Sequence, residues 1–267
     1  MSTVAGAIAD SAVIAKRNVI KIKRVPEVLV FVLLSPIMFV LLFGFVFGDA
    51  IEVPGGDYRE FLLAGIFAQT VMFGATFTGA GIADDMQKGI ISRFRSLPMA
   101  RIAVLAGRTS SDIIYNALSI TIMSLTGLLV GWQIRSTVHE AAAGFVLLLL
   151  FSYAFSWVMA LVALHVPSVE VVNNASFLVI VPLSFGANTF VPVEDLPGPL
   201  QTFAEWNPVS AVTQAARELF GNIPEGVPEP SAWPLQNPVL YSLLWIVVTV
   251  AVFAPLSVRR YNRAGGG

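Results

Sequence analysis

FLLAGIFAQTVMFGATFTGAGI, residues 61–82, runs for about six helical turns without one charged side chain. A bilayer core about 30 Å thick needs about 20 such residues in an α-helix. The rest of the chain has the same character: of its 267 residues 56% are hydrophobic and 12% charged, with a mean hydropathy of +0.76. Soluble domains carry about 45–50% apolar and about 25% charged residues. The chain therefore reads as an integral membrane protein.

Outward from residues 61–82, further runs of this kind occur at 28–48, 110–131, 142–164, 171–190 and 239–256. They are continuous rather than alternating, so each satisfies its backbone internally as a helix, and a barrel is excluded. The expected fold is all-α: one polytopic domain over residues 1–267, with an N-terminal amphipathic interfacial helix in 1–26, six transmembrane helices within 28–256 and an outer segment at 191–238. The run at 28–48 exceeds the 7–15 residues of a signal-peptide apolar region and lacks a small-x-small cleavage site, so it counts as a span.

Charge sets the expected orientation. Thirteen of the 16 Lys and Arg residues fall in three segments: Lys16, Arg17, Lys21, Lys23 and Arg24; Lys88, Arg93, Arg95, Arg101 and Arg108; Arg259, Arg260 and Arg263. With both termini inside, all three segments face the cytoplasm and only Arg59, Arg135 and Arg217 lie outside, which is the positive-inside pattern. The outer segment holds eight of the 16 prolines between residues 191 and 237. Its middle, 196–220, reads as short helices broken at Pro208, which either re-enter the outer leaflet or cap the surface.

Two basic stretches have helical faces. Ile8, Ala12, Ala15, Val19 and Ile22 line one side of a helix with Arg17, Lys21 and Arg24 opposite, as in an interfacial helix that Pro26 ends. Such a helix is a membrane anchor or a platform for a cytoplasmic partner. In DDMQKGIISRFRSLPMAR, residues 84–101, Ile90, Ile91, Phe94 and Leu97 cluster on one face while Lys88, Ser92 and Arg95 turn away, and Pro98 stops the helix.

Several chemistries are missing. There is no G-x-x-x-x-G-K-[ST] phosphate loop, no Cys, no G-x-S-x-G elbow and no H-E-x-x-H pattern, with His139 and His165 the only histidines. Enzyme activity, a resident cofactor and a metal site are not expected in this chain alone. Asp112, four residues after Arg108, reads as a helix-surface ion pair. Neutral polar residues do occur at membrane depth. Gln69, Asn116, Tyr153, Trp157, Asn173 and Asn188 form either helix–helix hydrogen bonds or a weakly polar route for an amphiphile.

The run Gly89–Arg101 with its RFRSLP core, followed by LeuAlaGlyArg at 105–108, resembles the cytoplasmic signature of type-2 ATP-binding-cassette (ABC) exporter permeases of the daunorubicin-resistance type. PheValProValGluAspLeuPro at 190–197 and TrpAsnPro at 206–208 are similar to that family's outer segment. The lead-in Asp84–Lys88 departs from the Glu-rich lead-in of many relatives. The resemblance implies a bacterial plasma-membrane permease that pairs with a second permease chain, identical or paralogous, and docks on a separate pair of cytoplasmic ATPase subunits holding ATP and Mg. It implies export of drug-like or lipid-like amphiphiles, hence antibiotic resistance. The coupling helix would comprise Lys88, Arg93, Phe94, Arg95, Leu97 and Pro98, and the N-terminal helix, with Arg17, Lys21 and Arg24, would brace the same ATPase. An outer gate would be formed by Phe190, Pro192, Trp206 and Asn207. A proton-coupled multidrug transporter explains only the spans, and a membrane scaffold leaves the Pro-rich outer segment without a role.

Overall fold

The structure is a computed structural model that describes residues 4–24, 34, 37–43, 57–96, 99–166, 168–223 and 230–263. Regular structure among the described residues is helical. The helices are α1 (Val4–Arg24), α2 (Tyr58–Gln87), α3 (Ile90–Ser96), α4 (Arg101–Val130), α5 (Val138–Ala163), α6 (Val169–Phe185), α7 (Gly198–Trp206), α8 (Pro208–Phe220), α9 (Trp233–Gln236) and α10 (Pro238–Arg263). Of these, α2, α4, α5 and α10 are long and apolar enough to cross a membrane. The expected first span, 28–48, lies outside the described residues apart from Leu34 and residues 37–43.

The expected fifth span, 171–190, is shorter as helix. α6 has 17 residues, about 25 Å at 1.5 Å per residue. It stops at Phe185 because Asn207 Nδ2 donates to the carbonyls of Leu183 (2.8 Å) and Gly186 (3.4 Å), which takes up acceptors that another turn would use. The four long helices instead overrun the apolar windows. α2 starts at Tyr58 because the Asp57 carboxylate caps its first turn, and α5 starts at Val138 behind a Thr137–Glu140 capping box. Gly89, at φ +65°, makes the left-handed reversal that lets α3 leave the end of α2.

α2 is the central helix, packed by α4, α5, α6 and α8. Its small residues allow this: Gly74 lies flush against the Asn116 amide, Gly79 against Val172 and the Met159 carbonyl, and Gly81 against the Arg108 guanidinium. α10 is peripheral and inside-out. Leu240, Leu243, Leu244, Val247, Val248 and Val252 are exposed, while Ser242, Thr249 and Ser257 are buried. A helix whose apolar stripe points away from the protein fits lipid as its solvent.

α1 packs on α4 through residues that its two-faced pattern does not single out. Ile14 and Asn18 are buried against α4, where Gly107 admits the Ser11 carbonyl and Ile14. Ile8, Ala12 and Val13 are exposed, and Arg17 is half-buried rather than turned to solvent. Of the apolar face, Ile8 and Ala12 stay free while Ala15 and Val19 are half-buried.

Candidate functional site: an interior cavity between two polar ends

A cavity of about 480 Å³ opens between α2, α4 and α6. α2 lines it with Gln69, Thr70, Phe73 and Phe77, α4 with Tyr115 and Ser119, and α6 with Asn173, Phe177, Val181 and Phe185. The α2 and α6 residues recur three or four apart, so each helix offers one continuous stripe. No charged side chain lines the cavity. Its walls are ring faces, with Phe73–Phe177 centroids 5.6 Å apart and Phe77–Tyr115 5.2 Å apart, interrupted by amides and hydroxyls. The hydroxyl of Thr76, on the same wall, is buried without a hydrogen-bond partner. Such a space suits an uncharged or delocalised aromatic guest that accepts a few hydrogen bonds.

The structure brings only some of the expected polar residues here. Gln69 and Asn173 line the cavity. Asn116 stands behind its α2 wall, donating from Nδ2 to Ser152 Oγ (2.7 Å) and the Asp112 carbonyl (3.0 Å), which joins α4 to α5. Tyr153 and Trp157 sit elsewhere, edge-on to each other on α5, where Ser257 of α10 donates to the Trp157 carbonyl. Asn188 belongs to the turn after α6. The aromatic residues Phe73, Phe77, Phe177 and Phe185 are absent from the expected route, although their spacings of four and eight, about one and two helical turns, were a legible signal.

Asp112 is corrected most clearly. It is buried, not on a helix surface, with its carboxylate beside the Thr78 hydroxyl and 3.9 Å from Arg108 Nε. Arg108 Nη2 also donates to the Phe77 carbonyl (2.6 Å). The Asp112 side chain is 4% exposed there and that of Arg108 15%.

At the basic end, Lys88, Ser92, Arg93 and Ser96 are exposed, and Lys88 pairs with Asp84 (2.7 Å). Ile91 is buried, and the half-buried Phe94 ring lies 4.9 Å beneath the Arg17 guanidinium. Leu97 and Pro98, and the side chains of Lys21, Arg24 and Arg95, lie outside the described residues.

At the opposite end, the Phe190 ring stacks between Phe43 (5.0 Å) and Phe185 (5.1 Å), and its carbonyl accepts from the Tyr58 hydroxyl (3.2 Å). Pro192 is half-buried and Trp206 is exposed. Asn207 is buried, capping α8 through Val209 N (2.9 Å) while closing α6. Arg217 was missed as a site residue. It is 1% exposed, donates to the Phe61 (3.0 Å) and Asn188 (2.6 Å) carbonyls and stacks 3.5 Å over the Phe61 ring. Burial pulls its pKa down to about 9, so it remains a cation at neutral pH. Among the described residues no cluster could hold a metal ion.

Residues 11–220 match the ABC-2 type transporter family. The chain is 30% identical over 246 residues to the daunorubicin resistance ABC transporter permease protein DrrB1 of Streptomyces coeruleorubidus, covering 92% of this chain and 83% of that protein. It is 22% identical over 231 residues to the "Probable doxorubicin resistance ABC transporter permease protein DrrC" of Mycobacterium tuberculosis, covering 86% of this chain and 79% of that protein.

Proposed function

The chain belongs to the ABC-2 type transporter family, and from that premise we propose that it is the permease subunit of an ATP-driven exporter. It carries an amphiphilic drug-like or lipid-like molecule out of the cytoplasm or inner leaflet of a bacterial plasma membrane, with both termini cytoplasmic. A separate pair of ATPase subunits binds ATP and Mg, and a second permease chain, identical or paralogous, completes the pathway. The observation that carries this reading is one helix: α2 holds the charge-free aromatic wall of the cavity along its length and ends at the exposed basic helix α3.

In this reading Lys88, Arg93 and Arg95 meet the ATPase, and Leu97 and Pro98 complete that contact. Force on α3 enters α2 and α4, the two helices joined to it in sequence, and both line the cavity. Gln69, Thr70, Asn173 and the four phenylalanines hold the amphiphile. The segment 190–220 closes the outer end through Phe190, Pro192, Trp206 and Asn207.

The test is reconstitution with the ATPase in proteoliposomes, reading ATP hydrolysis and efflux of a fluorescent planar amphiphile. Charge reversal of Arg93 and Arg95 to Glu is expected to abolish complex formation. Phe73→Ala with Phe177→Ala is expected to leave the complex and its basal hydrolysis while efflux falls about 10-fold or more. Efflux that persists without ATP and collapses with a protonophore would assign the chain to proton-coupled transport instead, with Asp112 as the buried acid.

A further inference from the structure

α3 has seven residues, too short to hold its own direction as an isolated helix. It is tethered on one side by Gly89, around which there is open space. Yet a helix that transmits force has to be held at a fixed angle to the helices it drives. α1 supplies what α3 lacks. Arg17 Nη2 pairs with Asp85 Oδ2 at 2.6 Å, on the last turn of α2. Its Nε and Nη2 both donate to Asn18 Oδ1 (3.3 and 2.9 Å), and its guanidinium lies over the Phe94 ring of α3. Asn18 Nδ2 in turn donates to Ser111 Oγ on α4 (3.3 Å). About two turns earlier on α1, Asp10 Oδ2 accepts from the amide of Ala100 (3.0 Å), the residue at the N-cap position of α4.

We propose that Arg17 is a positioning residue that locks α1, the end of α2 and α3 into one rigid junction, so that a push on the exposed face of α3 reaches α2 and α4 together. This rests on the exporter reading above, but gives Arg17 an inward task in place of the ATPase contact that the family resemblance implies for it. Three features favour the inward task. Asp85 is 6% exposed, so its pair with Arg17 is poorly screened by solvent. Lys88, three residues after Asp85 in sequence, is already engaged by Asp84. Finally, the site uses what Arg has and Lys lacks, a planar fork that meets a carboxylate and an amide while covering a ring.

The experiment uses the full chain with its ATPase. The chain has no cysteine, so Val13→Cys on α1 and Ser92→Cys on α3, both exposed, can carry a spin-label pair without background. A narrow label–label distance distribution is expected, broadened by Arg17→Lys. In proteoliposomes Arg17→Lys is expected to keep complex formation and ATP hydrolysis within about twofold, while molecules exported per ATP fall about 3–10-fold, on the scale of one cation–π contact and one charge-assisted hydrogen bond. Arg17→Glu with Asp85→Arg should recover part of the loss shown by Arg17→Glu alone. An unchanged distribution in Arg17→Lys overturns the proposal. So does loss of complex formation in Arg17→Glu that Asp85→Arg does not repair, since Arg17 would then be a docking contact. Failure of the exporter reading shows separately, as absence of ATP-dependent efflux in the unmodified complex.

Discussion

Arg108 and Arg217 are both pressed against α2, at opposite ends, and they are neutralised in different ways. Arg108 has a carboxylate in reach, Asp112, which Thr78 also holds. Arg217 has none in contact: two carbonyls and one ring carry the charge, and its Nη1 is buried without a partner. Charge–charge attraction falls slowly with distance and tolerates small shifts, whereas a guanidinium shared between two carbonyls needs both at fixed positions. The Arg108–Asp112 contact between α2 and α4 thus survives a small change of angle. The opposite end is locked by geometry, and other bonds agree with this. Arg135 N donates to the Phe220 carbonyl (2.9 Å), Ser136 Oγ to the Leu219 carbonyl (2.6 Å) and Trp132 Nε1 to Asn222 (2.8 Å), so α8 and the α4–α5 turn form one cap.

The largest expected effect tests whether the Arg108 site is a matched pair. Arg108→Leu strands the buried Asp112 carboxylate and should destabilise the protein by about 2–4 kcal/mol, a cost limited by the carboxyl taking up a proton. Adding Asp112→Leu should recover most of it, because the second change removes the stranded charge. Thermal unfolding of the detergent-solubilised single and double variants measures this, and a double variant no better than the single would deny the pairing. At the other end Arg217→Met should cost about 2–3 kcal/mol through the two carbonyls left bare. No neutralisation of a carboxylate should recover it. Glu194→Gln, the nearest acidic change, is the control, and rescue by it would erase the contrast between the two ends.

Gly74→Ala comes next. A Cβ at 74 meets the Asn116 amide directly, so Asn116 must rotate away from Ser152. The expected cost is about 1–2 kcal/mol, the scale of one interhelical hydrogen bond in a membrane plus local crowding. Ser152→Ala in the Gly74→Ala background should then be nearly neutral, which a double-mutant cycle reads out.

How much of this the sequence disclosed depends on which periodicity was asked of it. Apolar length alone located the runs that became α2, α4, α5 and α10, because a span is a one-dimensional property. Direction is not. Helical periodicity laid the apolar side of α1 in the headgroup layer and turned Arg17 away from it, but did not show which residues meet α4: the packed face of α1 holds Asp10, Ser11, Ile14 and Asn18, and α10 buries its serines. The cavity was half legible: Gln69 and Asn173 stood out as amides in apolar runs, while the phenylalanines beside them were marked only by their helical spacing. Asp112 was legible as half of a pair but not as buried, since its depth comes from Gly81 letting α4 approach α2. Arg217 gave no signal, because its partners are backbone carbonyls, which every sequence has everywhere.

The smallest expected effect concerns an ion pair with several close nitrogen–oxygen contacts. Arg135 meets the Glu60 carboxylate through Nε (3.0 Å to both oxygens) and Nη2 (2.9 Å), and this partner raises its pKa above the ordinary arginine value. The Arg135 side chain is nevertheless 60% exposed, so water and salt screen the pair and its conformational entropy opposes it. The turn it belongs to is already fixed by the backbone and side-chain bonds to Leu219, Phe220 and Asn222. Arg135→Gln should therefore leave the unfolding temperature close to that of the unmodified protein at physiological salt, with any small difference vanishing at 1 M salt. A loss as large as that of Arg217→Met would mean that the cap is held by its visible charges, and that a guanidinium on two carbonyls is not what locks this end.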